Sequence, residues 1–160
     1  MSGTARPEQI EFTAPEPGEV VDALRDLVVE RRGWVNLEPE VESDAAEAVR
    51  PSFVAAVFRA AGPPIPSVTI VAPTAGRRPQ PAQLGISHGV GTPVLRRLAA
   101  EGHPRPDEWK VVQDHARRGV VVRLPEDFDP ADVLAWALSA AALLCPIETT
   151  GGWLAEVYRG

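Results

Sequence analysis

From Val133 to Leu144 the chain is apolar around nearly the whole turn of a helix, with Val133, Leu134, Trp136, Leu138, Leu143 and Leu144 leaving no polar side. Such a helix must be buried on most sides. Its start is well marked: Asp129 is placed as N-cap, Pro130 takes the first position, and Phe128 is placed to pack on Val133 as a hydrophobic staple. The apolar run to Cys145 is interrupted by Ser139 and is too short to cross a bilayer. The rest of the chain therefore has to supply its cover.

That cover reads as a sheet. Ile10 and Phe12 alternate with polar neighbours as a short strand would, and Trp34 to Val41 places Val35 and Leu37 on one face, with Pro39 marking an edge or a strand end. Ser67 to Ala72 and Gln83 to His88 form two more strands around a solvated loop holding Arg77 and Arg78. Trp109 to Asp114 and Gly119 to Leu124 form a hairpin, whose second strand is expected to be central because Val120 and Val121 are both apolar. Trp153 to Tyr158 is a last strand.

Further helices are expected over Glu19 to Arg32, with Arg31 and Arg32 in its last turn and Gly33 just after, and over 44–61, where Asp44 and Glu47 resemble a capping box and Phe53, Val54, Val57 and Phe58 make a stripe. Another starts at Thr92 as N-cap with Pro93 in its first turn and stops at Gly102. The fold class is α+β: a mixed, largely antiparallel sheet of about six or seven strands packed by three or four helices. One domain is expected over 9–160, behind a flexible tail of residues 1–8. Residues 9–41 and 119–158 share one order, namely strand, proline-containing acidic turn, helix, and a strand beginning with tryptophan, which hints at pseudo-symmetry.

Composition narrows the class of function. The 160 residues are 44% hydrophobic and 24% charged, which suits a globular chain rather than a disordered one or a rod. A net charge of −6 speaks against a nucleic-acid-binding protein, since phosphates call for a basic face. Lys110 is the one lysine among sixteen basic residues, and with abundant Ala, Pro and Gly this suggests a high-GC bacterial genome. Cys145 is the single cysteine, so no intrachain disulfide can form, and it is expected to be buried and inert. Met1 to Pro7 lacks the pattern of a secretory signal, so a soluble, cytoplasmic protein without membrane contact is expected.

No phosphate loop, dinucleotide fingerprint, nucleophile elbow or zinc-protease motif is present, and His88, His103 and His115 are scattered, so neither metal nor cofactor is expected. One constellation survives a topological argument. If Gln83 to His88 and Trp109 to Asp114 lie side by side and parallel, Ser87, His88, Gly89, Gly91 and Thr92 meet the turn His115, Ala116, Arg117 and Arg118 at one end of the sheet. Free N–H groups at a helix start and two guanidiniums could then cradle a phosphate or carboxylate. The plainer account is a tight turn, a Thr92 cap and solvated arginines.

Trp34, Trp109, Trp136 and Trp153 fall on three strands and a helix, the distribution of a core rather than of a ligand platform. The reading is a small binding or interaction module without catalysis that takes a protein partner. Its alternative is an enzyme or sensor for a small anionic ligand. A homodimer is expected if the final strand forms a sheet edge that needs covering.

Overall fold

Alternating side chains set the strands and three-to-four spacing sets the helices, as the sequence implies. The computed structural model describes residues 6–41 and 65–160 in the order β1 (Glu8–Thr13), α1 (Gly18–Glu30), β2 (Trp34–Val41), β3 (Ser67–Val71), β4 (Gln83–Ser87), α2 (Leu95–Ala100), β5 (Lys110–His115), β6 (Gly119–Arg123), α3 (Pro130–Leu144) and β7 (Thr149–Tyr158). The helix expected over 44–61 lies outside the described residues. Glu8, expected within the tail, pairs with Val157 in β1.

All seven strands join one sheet in the order β1-β7-β2-β3-β4-β6-β5, and every neighbouring pair is antiparallel. The expectation of a mixed sheet is thereby corrected. The crossovers β1-α1-β2 and β6-α3-β7 each join strands that point the same way, but β7 enters between β1 and β2, while β2, β3 and β4 fill the gap between β6 and β7. The shared order noted in the sequence is thus a pair of wide crossovers.

The expected parallel neighbours, β4 and β5, are also corrected. They point the same way because each is antiparallel to β6, which lies between them. Composition explains the insertion: Val120 and Val122 of β6 are buried, whereas Lys110, Val111 and Val112 of β5 are exposed, so the more apolar strand takes the interior place. β7 is likewise interior rather than an edge, which removes the reason for expecting a dimer there.

α1 and α3 lie on one side of the sheet. α1 packs over β1 and β2, α3 over β3 and β4, and the two helices touch. α1 turns Val20, Val21, Ala23, Leu24 and Leu27 inward. α3 buries nine of its fifteen residues and leaves Ala135, Ser139, Ala142 and Leu143 as an exposed stripe, and each fully buried Leu or Val side chain contributes about 1.5–3 kcal/mol. The sheet meets them with Val35, Leu37, Val68, Ile70, Leu84, Ile86, Val120, Val122, Trp153, Ala155 and Val157.

Trp136 of α3 stacks on His103 with centroids 5.0 Å apart, meets Trp109 edge-on at 5.3 Å, and donates from Nε1 to the Pro104 carbonyl at 3.0 Å. Cys145, expected to be buried, is partly exposed, because it is the residue that ends α3. Among the described residues no helix is long and apolar enough to cross a membrane.

Candidate functional site

The expected constellation is assembled in part, around a feature absent from the expectation. In β5 the ladder with β6 slips between Val111 and Gln113, leaving Val112 as a bulge. A bulge reverses the alternation of sides beyond it. Val111 is level with Val122, which faces the helices, and after the bulge Asp114 is level with Val120, which faces them too. Without the extra residue Asp114 would point to the opposite side. It instead reaches the start of α2, where Oδ1 accepts from the Val94 N–H at 2.9 Å and Oδ2 from the Leu95 N–H at 3.2 Å.

The Thr92 cap is therefore corrected. α2 begins at Leu95 with Val94 as N-cap, Thr92 is exposed upstream, and the capping carboxylate comes from a strand twenty residues on. The N–H groups expected to await an anion already hold an internal one.

His88 sits behind this cap and is 1% exposed. Its Nδ1 accepts from the Val90 N–H at 3.3 Å, which leaves the ring proton on Nε2, and Nε2 has no partner among the described residues. Burial lowers its pKa below the ordinary 6.5, with Asp114 acting in the opposite sense and Arg97 reinforcing the shift. A neutral, enclosed imidazole results, out of reach of a substrate at the surface.

The turn reaches the same end of the sheet as β4's exit. Gly119 has φ 78°, and a Cβ there would land on the Ile86 carbonyl oxygen, so the β5–β6 turn is seated against β4. His115 Nδ1 accepts from the N–H groups of Arg117 at 3.0 Å and Arg118 at 3.3 Å, and the Gln113 amide donates to the carbonyls of Arg118 and Gly119. Gly89 and Gly91 are half-buried, Ser87 is exposed at the end of β4, and both turn arginines project outward. The structure therefore brings the two turns to one end, while the imidazole is buried and the helix start is occupied.

Two features escaped the sequence. Lys110 is directly opposite Arg123 in the β5–β6 ladder, on the side of the sheet away from α1 and α3, and both are exposed. Neither these two nor Arg117 and Arg118 form an ion pair among the described residues. Beside them, Val111 is 44% and Val112 50% exposed. The signal available was the even spread of Lys110, Arg117, Arg118 and Arg123 across one hairpin.

The second is a cavity of about 270 Å³ at the opposite end of the sheet, walled by Pro73, Pro79, Pro81, Pro125, Leu124 and Phe128. Among the described residues no group of three or more His, Cys, Asp or Glu side chains is arranged to hold a metal ion. No protein-family model, curated protein or solved structure matches the chain.

Proposed function

We propose that this chain is a non-catalytic interaction module whose β5–β6 hairpin receives an acidic, extended segment of a protein partner. The observation that carries the reading is the exposed Lys110 opposite the exposed Arg123, with Val111 and Val112 alongside. Like charges directly opposite one another on a sheet oppose folding, so acids brought by a partner relieve a cost already present. Among the described residues β5 is an edge strand, with outward backbone groups that a neighbouring segment can bond. Arg117 and Arg118 extend the cationic surface to the other end of the same strand.

The other edge differs. On β1, Glu8 is clasped by Arg159 at 3.1 Å, and no large exposed hydrophobic residue is found there. The small-anion reading has less support, since Asp114 occupies the start of α2 and only the turn arginines remain.

The test is fluorescence anisotropy with a labelled peptide of alternating aspartate and valine, and a lysine–valine peptide as control. The expected result is micromolar binding of the acidic peptide alone, weakened by salt. Lys110→Glu with Arg123→Glu should weaken it about tenfold or more, with Arg117→Ala plus Arg118→Ala weakening it less and leaving stability within about 0.5 kcal/mol. No binding, or binding indifferent to charge reversal, ends the proposal.

A further inference from the structure

We propose that the proline-walled cavity is a binding site for a free α-amino acid with an apolar ring side chain, a reading independent of the hairpin surface. The cavity lies where β3 ends, β4 begins, β6 ends and α1 stops. Its walls are Pro73, Pro79, Pro81, Pro125, Leu124 and Phe128, with Arg31 and Glu126 also on the lining. At about 270 Å³ it is at the small end of ligand cavities, the right scale for a single ring.

Two properties select the ligand class. Proline has few backbone states to lose, so four prolines make a wall that needs little ordering when a ring packs on it. The charges supply orientation. Arg31 and Glu126 line one cavity with opposite signs, yet neither pairs with the other or with any further charged residue described. Arg31 Nη2 donates instead to the Thr74 carbonyl at 3.1 Å, which fixes the guanidinium beside the loop that forms the proline wall.

Its backbone is held unusually as well. Arg31 has φ 54°, the one non-glycine residue described with positive φ, at a helix end where Gly or Asn is the common choice. A zwitterion satisfies both charges together: its carboxylate meets Arg31, its ammonium meets Glu126, and its ring rests on prolines and Phe128. A simple anion or cation would meet one matching charge and one opposing charge.

The experiment is a two-dimensional amide NMR titration of the whole chain with L-phenylalanine, alongside N-acetyl-L-phenylalanine, which lacks the ammonium, and L-phenylalaninamide, which lacks the carboxylate. Saturable shifts at Gln80, Ala82, Leu124 and Glu126 are expected for the free amino acid, with both analogues about tenfold weaker or worse. Arg31→Asn, which tolerates the same backbone conformation, and Glu126→Gln should each weaken L-phenylalanine by a similar factor. The proposal is overturned if L-phenylalanine gives no shifts up to about 10 mM, shifts amides remote from the cavity, or binds no better than the two analogues. The analogue comparison needs no variant, so a misfolded substitution cannot obscure the answer.

Discussion

The starts of α3 and α2 are both capped by an aspartate, and they are built in opposite ways. Asp129 lies two residues before its donor partner and accepts from the Ala131 N–H at 2.9 Å, with Pro130 already set for the first turn. Asp114 reaches Val94 and Leu95 from a separate strand, through a bulge, and holds a helix of six residues. A helix that short has almost no stability of its own. The first cap is a property of local sequence. The second exists only once β5 and β6 have paired, which makes α2 a dependent of the hairpin.

Breaking the hairpin should therefore separate the two most sharply. Gly119→Ala puts a Cβ against the Ile86 carbonyl and places a side chain at φ 78°. We expect a loss of about 3 kcal/mol or more, with amide exchange protection falling at α2 before α3. Equal loss of protection in the two helices would break the comparison.

Removing the caps directly is the next test. Asp114→Ala deletes two charge-assisted hydrogen bonds in a partly buried setting and should cost about 2–3 kcal/mol, whereas Asp129→Ala should cost about 1 kcal/mol. Asp114→Asn should recover part of the difference by keeping one acceptor. Denaturant unfolding of the three variants measures all of this.

The smallest effect concerns His88. Burial holds its folded pKa below 6.5, so the unfolded chain binds the extra proton first as pH falls. Its contribution to stability is thus complete above about 6.5 and declines below that value until the folded pKa is reached. The expected loss is under about 1.4 kcal/mol per pH unit, and it should be absent in His88→Leu. Because Asp114 favours the charged imidazole, Asp114→Ala should move the folded pKa of His88 lower still, and Asp129→Ala should leave it alone. Histidine-detected NMR titration distinguishes these outcomes.

The same contrast explains what the sequence could reveal. Strands are legible where alternation is clean, as in Val68 and Ile70 or Leu84 and Ile86, and the run of valines in β6 matches its interior place. The stop of α2 at Gly102 and the cap at Asp129 were legible because each needs only its neighbours. The bulge at Val112 was not, since Val111–Val112 suits either side of a strand and only the partner's register decides. Without it, nothing directs Asp114 to α2, and Thr92 looks like the cap.

Gly33 follows α1 as a helix stop would, but Arg31 is the left-handed residue there, and Gly33 is required because a Cβ would collide with the Tyr158 carbonyl. By sequence, segment 73–82 is a solvated loop around Arg77 and Arg78. Its prolines were the stronger clue, since they stiffen a wall that Pro125 and Phe128, over forty residues on, complete.

The place of β7 bears on how the chain is made. β1 and β2 are synthesised early, yet they share no ladder; each bonds to β7, which is supplied by Thr149–Tyr158 after every other described element has been made. Closing so long a loop costs entropy before any of its contacts form, and topologies of this kind fold slowly. While translation proceeds, β1 has no ladder partner, and β2 keeps one flank open, the side that will receive Trp153 and Ala155. A ribosome-bound chain halted before Thr149 would therefore present an incomplete sheet, and shielding that flank becomes a task for the cell rather than for the fold.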